Sequence, residues 1–118
     1  MLLPKNDEYG VSTDMILDYV VERKGSLEEI SGNLTKERTR FENELWRGAG
    51  KMSLLIENGT LDKVIAGDYN TQYNNKSFVA TLLTFSHRYD VKVWFTKKES
   101  AGAIIYAILK YKIREELL

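Results

Sequence analysis

Two acidic residues and a lysine occupy alternating positions at the end of an apolar stretch. Asp18, Glu22 and Lys24 are separated by even numbers of residues, so on a β-strand their side chains would share one face, whereas Arg23 would point the opposite way. Carboxylates can hold a divalent cation, and a nearby ammonium group can stabilise charge that develops on a phosphate. The three residues therefore supply the minimal equipment for metal-dependent cleavage of a phosphodiester. A solvated strand end is the alternative interpretation.

The residues that follow predict a helix that brings a further carboxylate towards the strand end. Ser26 with Glu29 three positions later forms a capping-box pattern, which predicts a helix running to about Asn33. Glu28 lies in its first turn and could swing back as a supporting metal ligand. Glu28 and Glu29 can equally stabilise the positive end of the helix dipole, so the spacing alone leaves both roles open.

The remaining elements alternate between helices and strands. The pattern predicts a strand within 11–24, helices over 35–47, 60–66 and 77–89, strands over 52–56 and 91–95, and a last helix from 96 to the end. Thr96 and Glu99 form a second capping-box pattern at the start of that last helix. Strands separated by helices need crossover connections, so the predicted fold class is α/β with a largely parallel sheet.

Composition limits the class of protein. The 118 residues fit a single domain, and a hydrophobic content of 43% indicates a globular chain. Lysine plus arginine and aspartate plus glutamate are both 17, so any basic surface must be local. The absence of cysteine excludes disulfides and thiolate metal sites. No signal-peptide layout is present, and the apolar stretch 101–109 is too short for a bilayer. We expect a cytoplasmic or nucleoid-associated protein, not secreted and without membrane partners.

A basic stripe is a candidate contact for DNA. Lys36, Arg40 and Arg47 are spaced by four and seven residues, which places them on one helical face where they could bind phosphates. Glu44 lies one turn from both arginines, so a salt-bridged solvent face is the alternative.

Two other features have weaker signals. The loop 69–73 contains two tyrosines among amides, which could stack on unpaired bases or simply form a loop. His87 is the only histidine, and we expect it to be structural. A chain with one histidine and no cysteine is poorly suited to zinc or to a histidine-based nucleophilic triad.

The segment Val21-Glu22-Arg23-Lys24, followed by three residues and an acid, resembles the signature of the XPF/Hef-type structure-specific endonucleases. In that family Glu-Arg-Lys-x-x-x-Asp follows an apolar strand, and Glu28 here replaces the aspartate. Leu17-Asp18-Tyr19-Val20 is similar to the approach to this motif in the Mus-type branch. Arg40-Phe41 is similar to the family's Gly-Arg-Phe/Leu, and Ser53-Leu54-Leu55-Ile56-Glu57 to its apolar strand ending in glutamate. The resemblance spans roughly 11–118, and only the Glu-Arg-Lys block is highly specific.

The resemblance implies a restriction-endonuclease-like α/β fold with a mixed central sheet flanked by helices. It implies a Mg²⁺- or Mn²⁺-dependent DNA endonuclease that hydrolyses phosphodiester bonds in branched or flap-type DNA. Glu22 would be a metal ligand, Lys24 the electrostatic or water-orienting residue, and Asp18 and Glu28 supporting ligands. The DNA contacts would be Arg23, Lys36, Arg40 and Arg47. A homodimer through the late helices, 77–89 and 96–118, would follow the family's pairing.

One departure concerns the start of the chain. The family has a strand with Asp-x-Arg-Glu and then a Gly-Asp pair before this motif, and 1–14 matches neither. We therefore expect a single domain over 1–118 that lacks its first strands, with weak or absent cleavage by this chain alone. The alternatives are a non-catalytic DNA-binding or scaffold module with a degenerate nuclease fold, and an interaction domain with no nucleic-acid role.

Overall fold

The computed structural model describes residues 1–3 and 15–117. Within these ranges the strands are β1 Leu2–Leu3, β2 Met15–Ile16, β3 Val20–Lys24, β4 Met52–Glu57 and β5 Lys92–Thr96. The α-helices are α1 Leu27–Leu34, α2 Arg38–Arg47, α3 Leu61–Ala66, α4 Asn75–Tyr89 and α5 Ala101–Leu117, and a 3-10 turn, Lys98–Ser100, precedes α5. No helix in the described part of the chain is long and apolar enough to cross a membrane. Of the predicted strand segment 11–24, residues 11–14 lie outside the described ranges, and the rest forms two strands, β2 and β3, separated by a bend at Asp18.

The central sheet has the order β3-β4-β5, and all its pairs are parallel. Helices α1 and α2 connect β3 to β4, and α3 and α4 connect β4 to β5, which confirms the predicted α/β layout with crossover connections. The expected mixed sheet is not what the described residues form. The antiparallel strands β1 and β2 pair with each other as a separate two-stranded ribbon.

The core is divided between the two faces of this sheet. On one face Leu54 and Ile56 of β4 pack against the apolar sides of α1, α2, α3 and α4. On the other face Leu55 of β4 and Val21 of β3 pack against α5 and against Leu17 and Tyr19, which precede β3. Alternation along β4 places these side chains on opposite faces, and each fully buried aliphatic side chain contributes roughly 1.5–3 kcal/mol. Among the described residues, four helices therefore cover one face of the sheet and one helix covers the other.

The first predicted capping box is confirmed. The Glu29 backbone N–H donates to Ser26 Oγ at 3.1 Å, and Glu29 Oε2 accepts from the Gly25 backbone N–H at 3.1 Å. The second is wrong: Thr96 Oγ1 donates to the Lys97 carbonyl oxygen instead of accepting at a helix start. Thr96 is the last residue of β5, paired with Glu57, so it lies outside the turn that it would cap.

Three helix starts differ clearly from the prediction. Helix α5 begins at Ala101 rather than 96, because Thr96 ends β5 and the 3-10 turn precedes the helix. The other two differ because of local turns. Helix α2 begins at Arg38 rather than 35, since a turn closed by the Glu37 N–H on the Gly32 carbonyl oxygen (3.1 Å) precedes it. Helix α4 begins at Asn75 rather than 77, because Asn74 Oδ1 accepts from the Ser77 N–H at 3.1 Å and caps the helix.

Candidate active site

Asp18 and Glu22 line the same cleft at the edge of the sheet. Its volume is about 490 Å³, and its walls include Arg47 at the end of α2 and Lys51 just before β4. Helix α2 runs back along β3, so its last turn lies beside the first half of the strand. The structure therefore brings two of the three predicted acidic ligands to one site.

Asp18 lies in a bend before β3 and not on the strand, so the predicted strand position of this residue is wrong. Its side chain is 83% exposed and pairs with Lys51 Nζ at 2.8 Å. The hydrogen bond from Lys51 lowers the pKa of Asp18, and the charge of the same ammonium group acts in the same direction. Asp18 is consequently an ionised carboxylate at neutral pH, with one lysine competing for it.

Glu22 is half-buried on β3 and lines the cleft together with Glu44 of α2. Within residues 1–3 and 15–117 its carboxylate has no hydrogen-bond or ion-pair partner among side chains. A half-buried carboxylate without a partner is able to accept a cation. Glu44 was not predicted as part of this site; it is adjacent because α2 packs along the strand.

Lys24 shares the strand face of Glu22, as the alternation predicts, but it does not line the cleft. The residue is only 8% exposed, and its Nζ lies 5.1 Å from the centroid of the Phe41 ring. A buried ammonium over an aromatic face is a stabilising cation–π contact. Lys24 is therefore enclosed between β3 and α2. It lies two residues from Glu22 along the strand, but its side chain does not reach the cleft.

The third predicted acid, Glu28, faces away from the cleft. Its Oε2 accepts a hydrogen bond from the Asn70 backbone N–H at 2.7 Å, and that bond lowers the pKa of Glu28. The side chain fastens α1 to the loop 69–73. In this arrangement Glu28 holds a structural contact and does not join Asp18 and Glu22.

Arg23 points to the opposite face of β3, as predicted, and its Nε donates to Glu57 Oε2 at 2.8 Å. Glu57 is buried at the end of β4. The hydrogen bond from Arg23 lowers the pKa of Glu57 and raises that of Arg23. The sequence places Glu57 at a strand end, but only the parallel register of β3 and β4 reveals that these two charges meet.

The oxygen ligands available to a metal are few. In residues 1–3 and 15–117 no group of three or more histidine or acidic side chains is close enough to hold a metal ion. Asp18 and Glu22 remain as a pair of carboxylates on one cleft. Such a pair fits Mg²⁺ or Mn²⁺ in part, since Mg²⁺ commonly takes one or two carboxylates and completes its shell with waters and phosphate oxygens.

The basic stripe is distributed over the surface of α2 and the turn before it. Arg40 pairs with Glu37, not with Glu44. Lys36 and Arg47 are exposed, and neither forms an ion pair within the described residues. Of the stripe, only Arg47 reaches the cleft that contains Glu22.

The tyrosines of the loop 69–73 do not form a free stacking surface, and His87 does not pack in the core. The rings of Tyr69 and Tyr73 pack on Phe78, with centroids 5.1 and 5.3 Å from its ring. Both tyrosines are therefore partly buried and pack against the core. His87 is exposed near the end of α4, so it is not a packed core residue.

A second cleft, of about 480 Å³, lies between β5 and α5. Trp94, Ile104 and Tyr111 line it with exposed fractions of 44%, 36% and 54%. In the part of the chain that the structure describes, α5 is the one helix on this face of the sheet, and the cleft lies beside it. The apolar period of α5 predicts a buried face but does not reveal how much of the sheet the helix leaves open.

In comparisons with known proteins, no family model, no curated protein and no solved structure matches this chain. The resemblance to the XPF/Hef-type endonucleases therefore stays a prediction that depends on the motif residues themselves.

Proposed function

We propose that this chain is a metal-dependent DNA endonuclease domain of restriction-endonuclease-like type, which hydrolyses phosphodiester bonds in branched or flap-type DNA. The observation that carries the proposal is the cleft shared by Asp18 and Glu22, with Arg47 and Lys51 in its walls. Two carboxylates that can bind a metal ion and two basic side chains that can bind a phosphate line the same cleft. This combination suits an anionic substrate that arrives with Mg²⁺ or Mn²⁺.

The roles within the cleft follow from its charges. Asp18 and Glu22 would hold the metal, which when bound supplies Lewis-acid polarisation of the phosphate. A cation at Asp18 would compete with Lys51, whose ammonium would then be free to contact a phosphate. Arg47 has no ion-pair partner in the described part of the chain, so it can bind a phosphate oxygen without breaking an existing contact.

Lys24 is the proposed electrostatic residue of the site. Its ammonium lies on the same face of β3 as Glu22, and in a buried setting a charge is screened less than in water. Arg23, Lys36 and Arg40 are the remaining proposed DNA contacts. Arg23 would have to break its ion pair with Glu57 before it could bind a phosphate, so we expect it to contribute least to DNA affinity.

We further propose a homodimer that forms through the late helices. The apolar cleft lined by Trp94, Ile104 and Tyr111 supports this arrangement, since α5 contributes two of those residues. A second copy of α5 would bury apolar surface that one helix leaves open. Leu83 of α4 is also exposed and belongs to the other proposed helix.

A non-catalytic DNA-binding or scaffold module is the second candidate. Two contacts favour it: Glu28 is engaged by Asn70, and Lys24 packs over Phe41. In a scaffold these residues have structural roles only. The basic side chains would then bind DNA without metal, and affinity would fall steeply with salt.

Metal binding and cleavage separate the two candidates. We would measure Mn²⁺ binding by calorimetry, and cleavage of a labelled flap substrate, for the wild type, Glu22→Gln and the control Glu44→Gln, which alters another acid of the same cleft. The proposal expects Mn²⁺ binding that Glu22→Gln removes and Glu44→Gln retains. Cleavage is expected to be weak, since the described residues contain no group of three acidic side chains close enough to hold a metal ion, and to fall roughly 100-fold or more in Glu22→Gln. Unchanged Mn²⁺ binding in Glu22→Gln, with DNA binding in chelator, would support the scaffold.

A further inference from the structure

Trp46 is the most exposed large apolar side chain of α2. The helix buries Phe41 and Leu45 in the core, and Trp46 follows on the solvent side with 72% of its surface exposed. Within residues 1–3 and 15–117 its indole forms no hydrogen bond, ring contact or cation–π contact. The ring therefore contributes little to the fold and is free to contact a partner.

The side chains of α2 near Trp46 are polar, and the acid among them, Glu42, is already bound by Tyr89 and Arg88. Asn43, one turn earlier, is exposed, and so are Arg40 and the adjacent Arg47. Arg40 is paired with Glu37, whereas Arg47 has no ion-pair partner in the described chain. An exposed aromatic ring next to a guanidinium without an ion-pair partner complements a partner that combines planar rings with negative charge.

The position of Trp46 connects it to the cleft. Arg47, the next residue, forms part of the cleft wall together with Glu22. We propose that Trp46 is a stacking platform for an unpaired base of single-stranded DNA that enters or leaves the cleft, with Arg47 on an adjoining phosphate. That the strand is DNA rests on the proposed function; the stacking itself rests on the exposed ring and its charged neighbours.

An acidic protein or a lipid surface fits this face less well. A membrane-binding helix presents a continuous apolar side to the bilayer, whereas the apolar side of α2 is already buried by Phe41 and Leu45. No second large apolar side chain of α2 is exposed, and the nearest helix positions carry a carboxylate, an amide and a guanidinium: Glu42, Asn43 and Arg47. A single ring with cations suits base stacking, in which each base presents a flat face to one aromatic side chain.

Fluorescence in chelator tests the stacking without any cleavage. A dT oligonucleotide is titrated into the wild type and into Trp46→Phe, in which Trp94 on β5 is the remaining tryptophan. We expect saturable quenching in the wild type and little quenching in Trp46→Phe. A duplex of equal length should quench weakly, because its bases are already stacked.

Affinity measurements with a labelled oligonucleotide give the second readout. Trp46→Ala should bind the dT oligonucleotide roughly 5- to 100-fold more weakly, the loss expected for one stacked base, and should bind duplex within about twofold of the wild type. Trp46→Phe should retain most of the affinity, since a ring remains. The matched control is Ile65→Ala, which removes another exposed apolar side chain, 52% exposed, from α3.

The outcomes separate this inference from the proposed function. Unchanged single-strand affinity in Trp46→Ala overturns the stacking role, whether or not Mn²⁺-dependent cleavage is found. Quenching and affinity loss without any cleavage keep the stacking role and reject the nuclease. Quenching by anionic vesicles or by a poly-glutamate peptide, but not by the oligonucleotide, overturns the inference in favour of a different partner.

Discussion

Arg23 Nε donates to Glu57 Oε2 at 2.8 Å and so connects the C-terminal ends of the parallel strands β3 and β4. Arg23 is half-exposed, but the Glu57 side chain is buried. Arg23→Ala would leave that carboxylate without its hydrogen-bond donor. We expect the free energy of unfolding, measured by urea denaturation at pH 7, to fall.

The double variant Arg23→Ala/Glu57→Gln provides the control for this pair. It removes the buried charge together with its partner, so part of the lost stability should return. If Arg23→Ala alone is as stable as the wild type, the pair is only a surface contact.

The cation–π contact between Lys24 and Phe41 allows a test that separates a structural role of Lys24 from a role in cleavage. Lys24→Met keeps a long flexible side chain against the ring and removes the charge. We expect stability within about 1.5 kcal/mol of the wild type, while any Mn²⁺-dependent cleavage falls roughly 100-fold. Thermal unfolding and the flap assay are the two measurements. Full activity in a folded Lys24→Met protein would restrict Lys24 to a structural role.

Glu42 predicts how stability responds to acid. Its Oε1 accepts from Tyr89 Oη at 2.6 Å, and that hydrogen bond lowers the pKa of Glu42, with Arg38 and Arg88 adding to the effect. A carboxyl whose pKa is lower in the folded chain contributes stability above its unfolded pKa, about 4.3, and loses it as pH falls through the folded pKa. Below about pH 4.3 the wild type should therefore lose stability more steeply than Glu42→Gln, in urea denaturation repeated across pH.

Tyr89→Phe is the matched variant, because it removes the main donor and leaves the carboxyl in place. Its acid-induced loss should also be shallower than that of the wild type. The other acids with lowered pKa values, Asp18, Glu28 and Glu57, keep some pH dependence in both variants. Identical slopes for the wild type and Glu42→Gln would exclude this role for Glu42.

Gly59 allows a packing prediction with an internal control. A Cβ at Gly59 would lie 2.6 Å from Leu27 Cγ and 2.7 Å from Leu27 Cδ2, and Leu27 is buried in the core. Gly59→Ala should therefore destabilise the fold by roughly 1–3 kcal/mol. Gly25→Ala is the control, since a Cβ there meets nothing within 4 Å. Equal melting temperatures for the two variants would contradict the tight contact.

The sequence predicted the local elements well, because the interactions that form them join residues only a few positions apart. The apolar run that predicts a strand over 52–56 is confirmed as Met52–Glu57, and the Ser26 cap of α1 is confirmed by its hydrogen bond to Glu29. Failures occur where two signals overlap. Thr96 looked like a cap but belongs to β5, and three residues that fit the period of α2 form a turn before it.

The sequence by itself determined the α/β class, the strand that ends in Glu-Arg-Lys and the shared face of Glu22 and Lys24, because strand alternation needs no distant contact. Only the tertiary structure decided which charges meet. Asp18 pairs with Lys51 beside Glu22, Arg23 with Glu57, and Glu28 with the Asn70 backbone, 42 residues away along the chain. These pairings depend on strand register and on how α2 and the loop 69–73 pack, and such long-range packing leaves no local pattern in a single sequence.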